Sequence, residues 1–99
     1  MPLITIPGNK HTRMRFRVPS NGWIQYRVES QEHPVTTYLF DKPGLDEFYG
    51  GQGDIYSHGG FSRRKRHEQE IRLLFAGHWY LVILNPEPTP VHVFYEVHS

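Results

Sequence analysis

Period-two alternation of apolar and polar residues runs through most of the chain. Residues 11–18 set Met14, Phe16 and Val18 against Arg13, Arg15 and Arg17, so one face is apolar and the other cationic, and the pattern predicts a β-strand. Pro19-Ser20-Asn21-Gly22 predicts a turn. Residues 23–29 then place Ile24, Tyr26 and Val28 opposite Gln25, Arg27 and Glu29, and a hairpin of these two runs is the economical expectation. A third run over 35–40 ends at Asp41-Lys42-Pro43-Gly44, where proline and glycine favour a turn. Residues 45–49 are expected to make a single helical turn that tucks Leu45 and Phe48 inward.

The middle of the chain, 50–67, is rich in glycine, holds a cationic run and shows no sustained alternation beyond Ile55 and Tyr56, so a long loop with one short strand is expected there. Alternation resumes over 68–75, where Ile71, Leu73 and Phe75 oppose Glu70, Arg72 and Leu74, and Ala76-Gly77 makes a turn. Residues 78–84 are apolar on both faces, which predicts a central strand covered on two sides with Trp79 buried. The stiff segment Asn85-Pro86-Glu87-Pro88-Thr89-Pro90 leads into a last strand carrying Val91, Val93, Tyr95 and Val97.

About seven or eight strands joined by loops rich in proline and glycine predict an all-β fold with little helix. The expected architecture is an antiparallel β-sandwich or jelly-roll-like barrel, folded as one domain over residues 1–99 with a long Gly-rich and basic loop around 50–67. Composition agrees: Ala76 is the only alanine, whereas Val, Ile, Thr and the aromatics together supply 32 strand-preferring residues. At 99 residues there is room for one core. The chain has no cysteine, which excludes disulfides, thiolate nucleophiles and cysteine-based metal sites. No apolar run is long enough to cross a bilayer as a helix, and the first residues lack the pattern of a signal peptide, so no transmembrane segment and a cytoplasmic location are expected.

Segments at 37–41 (Thr-Tyr-Leu-Phe-Asp), Phe48-Tyr49, Gly59-Gly60-Phe61 and 77–83 (Gly-His-Trp-Tyr-Leu-Val-Ile) resemble the bacterial family called domain of unknown function 1883. The likeness covers residues 35–97, and Gly77-His78-Trp79 is its most specific part. A looser similarity extends to Golgi-dynamics and pre-peptidase C-terminal sandwiches. The resemblance implies a small β-sandwich and no assigned activity. The family's occurrence beside signalling domains such as Toll/interleukin-receptor domains implies, by association, an accessory sensing or binding module.

The net charge of +1 gives no global field, but the charge is segmental: residues 1–28 carry +5, 29–54 −5, 55–67 +4 and 68–99 −3. The densest feature is Arg63-Arg64-Lys65-Arg66-His67 after Phe61, which together with Arg13, Arg15 and Arg17 is the candidate binding patch. An acidic protein surface is the expected partner ahead of nucleic acid, because Phe61 alone supplies base stacking in the basic half of the loop. These cations equally suit carboxylates of the chain's own fold or of a second subunit, and a homodimer is compatible.

Other chemistry finds weaker support. Gly50-Gly51-Gln52 has the letters of the peptide-release motif, but its surroundings are acidic rather than basic, and the glycines serve a turn. Seven histidines are spaced without a His-x-His or helical His-x-x-x-His pattern; a metal site built by folding would draw on His58, His67 and His78 with Glu68 or Glu70. His58 and His67 are otherwise expected as solvated loop residues, and His78 at a strand start. No serine has a nucleophile setting. Trp23, Trp79 and the other aromatics are expected in the core rather than on a sugar-binding face. The expected function is a non-catalytic binding or sensing module with no cofactor, no metal and no catalytic residue, contacting an anionic partner through the 50–67 loop. The alternative is a small metal-dependent or histidine-based enzyme.

Overall fold

The computed structural model describes residues 2–19, 22–51, 57–72 and 76–98. Seven strands and one helix follow in the order β1 (Leu3–Ile6), β2 (His11–Val18), β3 (Trp23–Ser30), β4 (Thr36–Phe40), α1 (Lys42–Tyr49), β5 (Arg66–Arg72), β6 (Gly77–Leu84) and β7 (Val91–His98). One sheet has the order β1-β7-β3-β5 and the other β2-β6-β4, and every named pair is antiparallel. Each successive strand therefore lies in the sheet opposite its predecessor.

The expected hairpin of β2 and β3 does not form. β2 pairs with β6, with Phe16 opposite Trp79, whereas β3 lies between β5 and β7 in the other sheet. Both strands have one apolar face, and stacking the sheets buries Val18 of β2 and Ile24, Tyr26 and Val28 of β3 in one interior. Side-by-side pairing would satisfy the same backbone groups but leave each apolar face to find a separate cover.

Within the expected 50–67 loop, residues 57–67 are hydrogen-bonded, while 52–56, with Gln52 and the short strand expected at Ile55 and Tyr56, lie outside the described residues. From residue 57 to 65 the backbone runs along the free edge of β4. Leu39 N–H donates to Gly59 O at 3.1 Å, Thr37 N–H to Phe61 O at 2.9 Å, and Arg64 and Val35 exchange bonds of 2.9 and 3.0 Å. This irregular fourth member of the second sheet completes a nested set of antiparallel pairs: β1 with β7, β2 with β6, β3 with β5, and β4 with 57–65. That winding is the jelly-roll arrangement. Gly60 permits it: its φ is +108°, and a Cβ there would stand 2.1 Å from the Thr37 carbonyl oxygen.

Alternation sorts the side chains as expected. Tyr26, Val28, Leu81, Ile83, Val91 and Val93 form the main interior cluster, with Val18, Ile24, Leu39 and Trp79 filling the other end. β6 is central and covered on both sides. Its outward residues Tyr80 and Val82 pack with Phe40 of β4 beneath Leu45 and Phe48 of α1. The helix exceeds the single turn expected: Asp41 caps it by accepting the Gly44 N–H at 2.8 Å, and Pro43 fits the first turn because no intrahelical N–H is needed there. No described helix is long and apolar enough to cross a membrane. Not every aromatic is internal: Trp23 is 44% and Tyr49 49% exposed.

Candidate functional site

β2 is an edge strand, and its register sets Arg13 beside Val82, Arg15 beside Tyr80 and Arg17 beside His78 on the outer face of the second sheet. All three arginines are exposed. Alternate residues of a strand lie about 6.8 Å apart, so the three arginines leave the strand at regular spacing as a cationic row. Among the described residues no carboxylate forms an ion pair with any of them. The Arg13 guanidinium carbon stands 5.9 Å from the ring centres of both Tyr49 and Tyr80, a partner that leaves the positive charge uncompensated. His11, next along the same face, packs edge-on against Phe48 with ring centres 5.1 Å apart. Burial, then the charges of Arg13 and Lys10, hold its pKa below the usual histidine value.

The other basic segment is divided by its own backbone. Arg63, at φ 48°, donates its N–H to Thr36 Oγ1 at 3.1 Å, and its guanidinium lies 3.9 Å from Glu87. The Arg64 guanidinium carbon lies 4.2 Å above the Phe61 ring. Arg66 begins β5 and points off the outer face of the first sheet, 3.3 Å from Glu68 and 3.8 Å from Glu29. Arg66 and the β2 row thus face opposite sides of the sandwich, and the single patch combining 63–66 with Arg13, Arg15 and Arg17 is not assembled. Arg64 and Lys65 are exposed, and neither has an ion pair among the described residues.

His67, expected as a solvated loop residue and as part of the binding patch, is wholly buried. Strand alternation turns it inward next to outward Arg66 and Glu68. Its Nδ1 lies 3.0 Å from Thr37 Oγ1, and its Nε2 lies 3.0 and 2.8 Å from the Val35 and Arg64 carbonyl oxygens. Its role is to hold the crossing between sheets. Gln69 acts nearby: its side-chain oxygen accepts the Tyr26 hydroxyl at 2.7 Å and the Gly60 N–H at 3.0 Å. Asn85, also buried, donates to the Ile6 and Thr89 carbonyls at 3.1 and 2.8 Å and tethers the β6–β7 connection to β1. Asn85, directly after the apolar run of β6, offers a local sequence signal, whereas His67 and Gln69 stand among charged residues and offer none.

Two of the surface concavities bear on the candidate residues. One, of about 630 Å³, is lined by Asp41, Lys42, Pro43, Ala76, His78, Trp79 and Tyr80. Two of its polar groups are already engaged: Asp41 caps α1 and accepts from His58 Nε2 at 3.3 Å, and Lys42 pairs with Asp46 at 2.8 Å. The other, about 330 Å³, is a mouth between the sheets lined by Pro2, Met14, Arg15, Phe16, Tyr95, Glu96 and Val97. Among the described residues no three histidine, aspartate or glutamate side chains converge as metal ligands. His58 is close to Asp41, while His67 is sealed inside and His78 is exposed on the outer face, so folding leaves the three histidines in separate settings.

No family model matches the chain, and no curated protein matches it.

Proposed function

We propose that the protein is a non-catalytic binding module for an acidic protein partner, with Arg13, Arg15 and Arg17 as the principal contact and Arg64 and Lys65 as a second, smaller one. The observation that carries this reading is the row of three exposed arginines lacking carboxylate partners among the described residues, on a strand rigidly paired to the centre of its sheet. Cations held at fixed spacing steer an anionic partner and fix its register, whereas cations already paired within the fold, as Arg66 is, contribute less. Arginine also suits carboxylates because its planar fork donates two parallel hydrogen bonds. The resemblance to domain of unknown function 1883, which implies by association an accessory sensing or binding module, supports the same class of function.

The test compares two triple variants against wild type, with labelled deca-glutamate and an oligothymidylate of equal charge as probes at low and moderate salt. Replacing Arg13, Arg15 and Arg17 with glutamine is expected to abolish deca-glutamate binding and its salt dependence. Replacing Arg63, Arg64 and Arg66 with serine is expected to weaken it modestly. Equal binding by wild type and the β2 triple variant would overturn the reading.

A further inference from the structure

Among the described residues β2 is the outermost strand of its sheet, so alternate residues turn their N–H and C=O groups away from β6, where no described strand pairs with them. Its two faces differ in a way that specifies a partner. Outward stand Arg13, Arg15 and Arg17; inward, half-buried Met14 and Phe16 open into the 330 Å³ mouth, mostly apolar, that Arg15 also lines together with Pro2, Tyr95, Glu96 and Val97. The mouth exists because β1 is short. It covers β7 only from Val91 to Phe94, and Tyr95 and Val97 beyond it stay half-buried.

From this edge we infer that β2 takes up an extended segment of another protein as an added strand, a segment whose alternate residues are acidic and apolar. The inference rests on the acidic-partner reading above and gives it a geometry. A strand laid beside β2 has the same two-residue repeat of about 6.8 Å, so its carboxylates meet the arginines one to one. Its intervening side chains point to the other face and enter the mouth beside Met14 and Phe16. Main-chain hydrogen bonds supply affinity, and the two sets of side chains supply specificity, as in other cases of strand addition.

A second copy of the chain fits this edge poorly. Antiparallel pairing of two β2 strands about Arg15 would oppose Arg15 to Arg15 and Arg13 to Arg17, all like charges. The acidic edge available within the chain, β5, presents Glu68 and Glu70 between Arg66 and Arg72, which cannot match three arginines in a row. A nucleic acid offers the charge without the alternating apolar side chains or the backbone N–H and C=O ladder.

The experiment uses the whole chain and a labelled octapeptide of alternating glutamate and valine. Two further peptides serve as comparisons: one with the same residues grouped as a glutamate block and a valine block, and one N-methylated at alternate residues to remove edge hydrogen bonds. The alternating peptide is expected to bind and to shift the amide resonances of residues 11–18, and each comparison peptide to bind about tenfold more weakly, as lost ladder bonds and mismatched contacts require. Arg15→Glu should abolish binding while Arg27→Glu, on the other sheet, leaves it intact. If Arg15→Glu fails to fold, Arg17→Gln should still weaken binding severalfold. Equal affinity for all three peptides would overturn the added strand while leaving the cationic row as a charge-only site. Binding of oligothymidylate with no binding of any acidic peptide would overturn both readings, and self-association lost in Arg15→Glu would name a second copy as the occupant and overturn the foreign strand.

Discussion

The Thr37 hydroxyl and the His67 ring meet at 3.0 Å where the chain crosses from the second sheet to the first. Thr37 Oγ1 accepts the Phe61 N–H at 3.1 Å, so its own hydrogen is free to go to His67 Nδ1. That leaves the Nε2–H to donate to the Val35 and Arg64 carbonyls. The chain Phe61–Thr37–His67–Val35 thus fixes a neutral ring with one tautomer, and it ties β4, the 57–65 edge and β5 together.

Burial is the main cause that lowers the His67 pKa from its ordinary 6.5. Below pH 6.5 the unfolded chain takes up a proton that the folded chain refuses, so stability falls as pH falls, until the folded pKa is passed. Melts between pH 7.5 and 5 should show the midpoint dropping, and His67→Gln should flatten that part of the profile. Hydrogen bonds from His92 and His98 hold the Glu32 and Glu96 carboxyls below the usual range, and these also lose stability as pH falls, so the measured quantity is the difference between wild type and variant. A profile unchanged by the substitution would show the ring to be protonatable in place.

Gly60→Ala is expected to destabilise the fold by about 2 kcal/mol or more, because both the positive φ and the Thr37 carbonyl oppose a Cβ. Gly51, also at positive φ but with open space around it, is the comparison: Gly51→Ala carries only the conformational term. Denaturant titration of both variants checks the ranking, which fails if Gly51→Ala is the more damaging.

Trp79→Ala should cost about 3–5 kcal/mol, since the side chain is 1% exposed in a strand covered on both faces. The same method applied to Trp23→Ala should give a much smaller loss, because 44% of that residue remains exposed. A loss below about 1 kcal/mol for Trp79 would contradict the core packing described.

Replacing Arg63, Arg64 and Arg66 with serine should leave the thermal midpoint nearly unchanged, since surface ion pairs such as Arg66–Glu68 contribute about 0–1 kcal/mol each. Pronounced unfolding of this variant would make the run part of the scaffold rather than a surface.

Capping offers a further check. Asp41→Ala removes the acceptor for the Gly44 N–H and is expected to cost about 1 kcal/mol, with Asp41→Asn retaining most of the stability. Equal losses in the two variants would shift the role of Asp41 from the cap to its contact with His58.

Strand positions were legible because alternation is a property of a few consecutive residues. Met14-Arg15-Phe16-Arg17 declares an apolar and a cationic face without reference to anything else in the chain, and both faces are found where the pattern put them. The inward position of Leu45 and Phe48 follows equally from local spacing. His67 was harder: next to four cations it has the look of a solvated residue, and only the start of β5 at Arg66 turns it inward. The 57–65 edge was illegible for another reason, since its ladder with β4 is backbone bonding through glycines and a bulged Arg63, which leaves no alternation to detect.

The sequence by itself therefore determined a strand-rich fold, the burial of Trp79 between two covered faces, and the cationic character of one face of β2. The tertiary structure decided which strands pair, that β2 and β3 sit in opposite sheets, and that Arg66 faces away from Arg13, Arg15 and Arg17. The reason is that side-chain patterns specify faces, whereas edges present the same N–H and C=O groups whatever the residue. Which edge meets which is settled only when all the apolar faces must be covered at once.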